Sequence, residues 1–141
     1  MGKWVFASDT AEIAFEDVRV PQSNLVGKEG QGFRQLMHFF DITRIMVSGQ
    51  ALGISEACLE TTIKYVKERT AFGAPLGSFQ ITQTKLTEMA IRIEALRGLV
   101  YKAAWLIDQG KPDYTLAAMA KFYGGQTAVF CANYAVELHG G

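Results

Sequence analysis

Arg69 stands at the end of a long helical pattern and is followed at once by Thr70-Ala71-Phe72-Gly73, which sets a guanidinium beside a glycine loop. A guanidinium with backbone donors around it suits a pyrophosphate. Taken alone, Arg69 reads equally well as a solvated surface arginine. A second candidate is Asp41-Ile42-Thr43-Arg44, which offers a carboxylate and a cation, and which also reads as a helix-capping aspartate beside a surface arginine. Other chemistries find little here. His38 and His139 are the only histidines, they lie far apart, and neither has a second ligand four residues on, so no zinc site is expected. Gly27-Lys28-Glu29-Gly30-Gln31-Gly32 lacks the glycine spacing of a dinucleotide or nucleotide-phosphate loop and has no strand-helix-strand pattern around it. No G-x-S-x-G elbow and no acid/base carboxylate couple stand out.

The elements that must position these residues are mostly helical. Residues 5 to 20 read as two short extended runs, with Ile13 and Phe15 on one face and Val18 and Val20 on one face, turning at Glu16-Asp17 and ended by Pro21. Residues 21 to 32 read as a loop. Phe33, Leu36, Met37 and Phe40 recur at helical spacing, and after Asp41 as N-cap a second helix is expected to run to about Glu68, its stripe being Leu52, Leu59, Ile63 and Val66. Thr70 to Gly77 read as a loop. A third helix from near Ser78 carries Leu86, Met89, Ile93, Leu96 and Val100 and stops at Gly110-Lys111-Pro112. A fourth from near Asp113 carries Leu116, Met119, Tyr123, Phe130 and Tyr134, with Gly124-Gly125 inside it. Each such glycine costs about 1 kcal/mol in a helix, so close packing against another backbone is expected to compensate. The sum is a mostly α chain: long antiparallel helices of a bundle preceded by a short β-hairpin, with residues 1–29 as one segment and 30–141 as the helical domain.

The 141 residues suffice for one domain with a core, and 49% hydrophobic content is that of a globular chain. Fourteen basic residues balance fourteen acidic ones, which leaves no cation excess for nucleic acid or an anionic membrane surface. No apolar run nears the roughly 18 residues of a membrane span. Cys58 and Cys131 fall in helical patterns and read as reduced, buried small hydrophobes, which fits a reducing compartment: cytoplasm, or mitochondrial matrix in a eukaryote.

Several local sequences then stand in one order: Ala7-Ser8-Asp9-Thr10-Ala11-Glu12-Ile13, Phe15-Glu16-Asp17-Val18-Arg19-Val20-Pro21, Phe40-Asp41-Ile42-Thr43-Arg44, Glu68-Arg69-Thr70-Ala71-Phe72-Gly73 with Ser78-Phe79-Gln80, and Val136-Glu137-Leu138-His139-Gly140-Gly141. The ordered set, over essentially the whole chain, resembles the flavin-dependent acyl-CoA dehydrogenase family. The resemblance implies the end of a β-domain followed by a C-terminal helical bundle whose last helix is missing. It implies FAD as cofactor, with Arg69, Thr70, Ala71, Phe72, Phe79 and Gln80, and the stretch Glu137, Leu138, His139, Gly140 and Gly141, touching the adenosine-diphosphate part of a flavin held mainly by a neighbouring subunit. Where this chain has Glu137 the family commonly has glutamine, and a carboxylate near a pyrophosphate is repulsive. Asp41, Ile42, Thr43 and Arg44 match the segment that contributes to the acyl-CoA site.

The reaction so implied is α,β-dehydrogenation of an acyl-CoA thioester, with a glutamate as base, a homo-oligomer (tetramer or dimer) sharing FAD across its interface, and an electron-transfer flavoprotein as electron acceptor. That glutamate usually follows the Gly-Gly motif by some tens of residues, or in a minority stands just before the arginine matched by Arg44. Here that position is Thr43, which cannot be a base, so no catalytic residue is expected within the chain and the chain as given is expected to be inactive. Other readings are an acyl-CoA oxidase or nitroalkane-oxidising relative, and a non-catalytic helical interaction module. The last gives no reason for Arg69-Thr70-Ala71-Phe72-Gly73 or for His139-Gly140-Gly141.

Overall fold

The computed structural model describes residues 11–141. The chain divides into two units, Met1–Phe33 and Arg34–Gly141. In the first, residues 11–20 form no strand, although a bend falls at Glu16–Asp17, where Asp17 takes a left-handed φ of 50°. The expected hairpin is thus absent over its described part, and residues 5–10 lie outside the described residues, as does Ala7 to Thr10 of the first motif. Ile13, Phe15, Val18 and Val20 are all exposed. Without a neighbouring sheet to complete the ladder, two short runs bury too little to hold each other. A single 3-10 turn, Gln22–Asn24, follows Pro21.

The second unit is built on three long helices: α1 (Gly32–Glu68), α2 (Gln80–Asp108) and α3 (Tyr114–His139). Between α1 and α2, β1 (Thr70–Ala71) and β2 (Ala74–Pro75) pair antiparallel, Thr70 opposite Pro75 and Ala71 opposite Ala74. Two expectations change here. The stretch after Arg69 is a miniature hairpin. The two helices expected on either side of Asp41 are one, because Asp41 does not cap: its carboxylate pairs with Arg44 one turn on, so the helix runs through it. Elsewhere the stop and start signals hold. Gly110, at φ 68°, lets Gly110 N–H and Lys111 N–H return to the Ile107 and Leu106 carbonyls. The Asp113 carboxylate accepts from Leu116 N–H at 2.9 Å and caps α3.

Side-chain pairs fix the helix directions. Lys85 meets Glu137, Glu88 meets Tyr134, and Arg92 lies over Phe130, so α2 and α3 run antiparallel. Arg97 bridges to Glu56 at 2.6 Å, while Gly77 abuts Val66, so α1 and α2 are antiparallel too. His38 meets Tyr114 at one end and Tyr65 meets His139 at the other, so α1 and α3 run parallel.

The core gathers Leu52, Met89, Ile93, Leu96, Val100, Ala120 and Cys131, with Leu59, Leu86, Tyr123, Phe130 and Tyr134 half-buried against it. The α2 stripe is the one expected. On α3 Leu116 is buried as expected, but the other buried positions are small: Ala117, Ala120, Gly124, Thr127 and Cys131, spaced by three and four, while Met119 is exposed. On α1 they include Ser48, Ala51, Leu52, Ser55, Thr62 and Val66. At Gly124 α3 packs tightly against both α1 and α2. A Cβ there would lie 3.4 Å from Ala51 Cβ and Leu96 Cδ1 and 3.6 Å from Ser48 Cα. Gly125 has no such excuse, since nothing stands within 4 Å of its Cβ position.

Substituting Gly124→Val is expected to destabilise the unit by at least about 1–3 kcal/mol through overpacking. Gly125→Ala is expected to stabilise it by about 0.5–1 kcal/mol through helix propensity alone. Urea unfolding of the two variants side by side checks both; equal effects of one sign would refute the seam described.

Candidate functional site

The last turns of α1 seat the first candidates. Val66 is almost fully buried and abuts Gly77 of the following turn, which pins the helix end, and Arg69 N–H closes the last helical bond on the Tyr65 carbonyl at 2.8 Å. Leu76 N–H returns to the Arg69 carbonyl at 2.8 Å, so the hairpin begins and ends at Arg69. Its two-residue tip, Phe72 and Gly73, takes positive φ at both positions (52° and 81°). Paired left-handed residues match the twist of such a hairpin, but a phenylalanine there carries strain of order 1 kcal/mol. Phe72 is 99% exposed and meets Phe79 edge to face, with ring centroids 6.4 Å apart. Gln80 opens α2, exposed. Arg69 is exposed and makes no ion pair among the described residues.

The end of α3 comes to the same end of the bundle. Gly140, at φ 105°, terminates the helix in the left-handed region; its N–H reaches the Glu137 carbonyl, and Gly141 N–H reaches Val136. Neither glycine has anything within 4 Å of a Cβ position, so the backbone is bare to an approaching group. Ala135, Val136, His139, Gly140 and Gly141 line a shallow open groove. Leu138 is half-buried. Glu137 pairs with Lys85 of α2. Its carboxylate is thereby held against a cation, which answers the repulsion it would otherwise offer a phosphate. The His139 ring donates through Nδ1 to the Ala135 carbonyl at 2.7 Å and stacks on Tyr65, with centroids 4.2 Å apart and 27° between planes.

Arg69, Thr70, Ala71, Phe72, Phe79 and Gln80 therefore share one end of the bundle with Glu137 to Gly141. Asp41, Ile42, Thr43 and Arg44 do not join them. About 25 residues of helix separate Arg44 from Arg69, roughly 38 Å. At that far end Asp41 and Arg44 hold each other, Thr43 Oγ1 donates to the Phe40 carbonyl at 3.2 Å, and Ile42 is exposed. Two neighbours escaped the sequence reading. Tyr65 lies one turn before Arg69, which is a signal, but nothing in the sequence tells that it reaches His139. Lys85 reads only as a surface lysine.

Among the described residues no cluster of metal-ligating side chains occurs, and no helix is long and apolar enough to cross a membrane. Burial pushes the Cys58 and Cys131 thiols up, which disfavours the thiolate and leaves both as packing residues.

Residues 30–141 match the model of the acyl-CoA dehydrogenase C-terminal domain. The chain is 44% identical to a probable acyl-CoA dehydrogenase of Bacillus subtilis, YngJ, over 97% of this chain and 36% of that protein. It spans about a third of the length of the curated relatives it matches. Among solved structures, butyryl-CoA dehydrogenase of Megasphaera elsdenii superposes with TM-score 0.88 at 46% identity, covering 90% of this chain and 33% of that one. A structure described as the electron transferring flavoprotein of Acidaminococcus fermentans gives TM-score 0.88 at 47% identity, with the same coverage.

The Lys85–Glu137 pair is part-exposed, 19% and 56% by side chain, so its worth is bounded by screening. A double-mutant cycle of Lys85→Ala and Glu137→Ala on unfolding free energy is expected to give a coupling of at most about 1 kcal/mol that shrinks in high salt. A coupling of several kcal/mol, insensitive to salt, would contradict this.

Proposed function

This chain belongs to the acyl-CoA dehydrogenase family, as its C-terminal helical domain, and from that premise we propose that it serves an enzyme that α,β-dehydrogenates acyl-CoA thioesters with FAD as hydride acceptor. The observation that carries the reading is the convergence of Arg69, Phe72 and Phe79 with the bare backbone of Gly140 and Gly141 at one end of the bundle. An arginine without a carboxylate partner among the described residues, an exposed aromatic edge and open glycine backbone fit the pyrophosphate and adenosine of a dinucleotide. In this proposal Arg69 pairs with the pyrophosphate; Thr70, Ala71, Phe72, Phe79 and Gln80 flank it; and Glu137 to Gly141 close the other side, with Lys85 keeping the Glu137 charge balanced. FAD, when bound, supplies the hydride sink.

Asp41 to Arg44 are proposed for the acyl-CoA site, Asp41 toward the CoA moiety and Arg44 steadying it. What supports a shared arrangement is the distance of roughly 38 Å along α1 between Arg44 and Arg69. A domain that offers cofactor contacts at one end and substrate contacts at the other is suited to serve two reaction centres, its own and that of a neighbouring copy, and a homo-oligomer sharing FAD follows. No residue of the chain is assigned as the base: Thr43 is a hydroxyl spent on the Phe40 carbonyl. The electron acceptor proposed is an electron-transfer flavoprotein. The likeness to a structure described by that partner's name supports it.

Arg69→Met in the enzyme carrying this domain is expected to weaken FAD binding about ten- to a hundredfold, the worth of a charge-assisted hydrogen bond. Flavin fluorescence titration reads it. Anaerobic addition of acyl-CoA thioesters to the unaltered enzyme is expected to bleach the flavin. A protein that takes up no flavin and ignores every thioester would overturn the reading.

A further inference from the structure

We propose that Tyr65 is a positioning residue that locks the two halves of the cofactor surface together by holding His139. The inference rests on the flavin reading of that surface, but its geometry stands apart from it. The Arg69 side is carried by α1 and the Gly140 side by α3, far apart in sequence and joined by no backbone bond. Tyr65 touches both. Its carbonyl receives Arg69 N–H at 2.8 Å, so its main chain sets where α1 ends and where the arginine departs. Its ring stacks on His139 at 4.2 Å, and its hydroxyl donates to the His139 carbonyl at 3.4 Å, across 74 residues of sequence.

The hydroxyl bond is long and therefore weak, so the stack is the larger part of the contact. His139 is held from its other side by Nδ1–H to the Ala135 carbonyl. The imidazole is thus clamped between its own helix and Tyr65. The residue it precedes, Gly140, sits at φ 105°, where the chain has no side chain to fix it. Glycine backbone loses much freedom on ordering. A ring that immobilises the preceding residue lowers what a ligand must spend on ordering Gly140 and Gly141. The opposite end of the α1/α3 seam has a looser pair, His38 and Tyr114, with ring centroids 6.2 Å apart and edge to face. Only the end carrying Arg69 has the rings stacked.

The test is a double-mutant cycle on FAD affinity in the enzyme carrying this domain: Tyr65→Leu, His139→Leu and both together, with Tyr65→Phe and Arg69→Met alongside. Each Leu variant is expected to raise Kd about three- to tenfold, the range of an aromatic pair converted to affinity. The double variant is expected to be no worse than the larger single, and Tyr65→Phe to lie within about twofold of the unaltered protein because the stack survives. Tyr65→Leu binding as tightly as the unaltered protein, or losses that multiply in the double variant, would overturn the proposal. If Tyr65→Leu loses helix content by far-UV circular dichroism, the exposed His139→Leu and Tyr65→Phe variants decide: His139→Leu must show the loss and Tyr65→Phe must not.

If Arg69→Met binds FAD as well as the unaltered protein, the flavin reading has failed rather than this one. The amide spectrum then decides. Tyr65→Leu must shift the Gly140 amide and leave that of Leu116, at the far end of α3, in place; an unmoved Gly140 would overturn it.

Discussion

The packing around Gly124, where α3 meets α1 and α2 together, is the contact on which the rest of the unit hangs. Ser48 and Ala51 on one side and Leu96 on the other leave room there for no more than a methyl group. Buried positions near that contact are mostly small on both helices: Ser48, Ala51 and Ser55 on α1, and Ala120, Gly124 and Thr127 on α3. The larger apolar residues, Met89, Ile93, Leu96 and Val100, are then supplied by α2, which fills the trough formed by the other two. This division explains why α2 shows the cleanest apolar stripe, while α1 and α3 hide their buried faces among small residues. It also fixes the parallel register of α1 and α3, and with it which ends of the two helices coincide.

Building a seam from hydroxyl residues requires those hydroxyls to be satisfied. Ser48, Ser55 and Thr62 lie seven residues apart on α1, and each donates back to the carbonyl four residues earlier, at 2.6, 2.8 and 2.6 Å. Such back-bonds keep the side chain small and self-contained, so burial does not demand a partner on the facing helix. Thr127 is the exception on α3: its Oγ1 is buried with no hydrogen-bond partner. An unmet hydroxyl costs of order 1–3 kcal/mol. Thr127 is fully buried all the same, and its hydroxyl is tolerated there rather than used.

This is where the sequence was legible and where it was not. Helix type and the ends of α2 and α3 could be read because Gly110, Pro112 and Asp113 act locally, through φ and through one hydrogen bond. The α2 stripe could be read because it is large and apolar. The buried faces of α1 and α3 were half hidden, since an apolar-period search passes over Ser48, Ser55 and Thr62 and credits Met119, which is exposed. Asp41 misled for a related reason: an aspartate caps a helix or pairs one turn on, and only the continuous chain decides which. The hairpin at Thr70–Pro75 depends on Phe72 taking a left-handed φ, which no propensity announces. At the candidate site, Arg69 and the terminal glycines could be named from their order along the chain. That they share one end of the bundle, and that Asp41 to Arg44 lie at the other, follows only from the register.

The register also decides what each end is suited to do. At the Arg69 end three helix termini and a hairpin converge, so backbone groups are in surplus and glycine is frequent, which favours an extended anionic ligand held by many weak contacts and one strong one. Around Asp41 α1 runs through, so its own backbone is satisfied internally and side chains must do the recognising, although the start of α3 lies about one turn away, where Tyr114 meets His38. Those side chains, Asp41 and Arg44, already neutralise each other. Under the proposed function, an acyl-CoA group at this end would have to exchange with that internal pair rather than meet a waiting charge. The two ends thus differ in kind as well as in place: one offers fixed backbone and a cation with no ion-pair partner among the described residues, the other a carboxylate and a guanidinium already paired with each other.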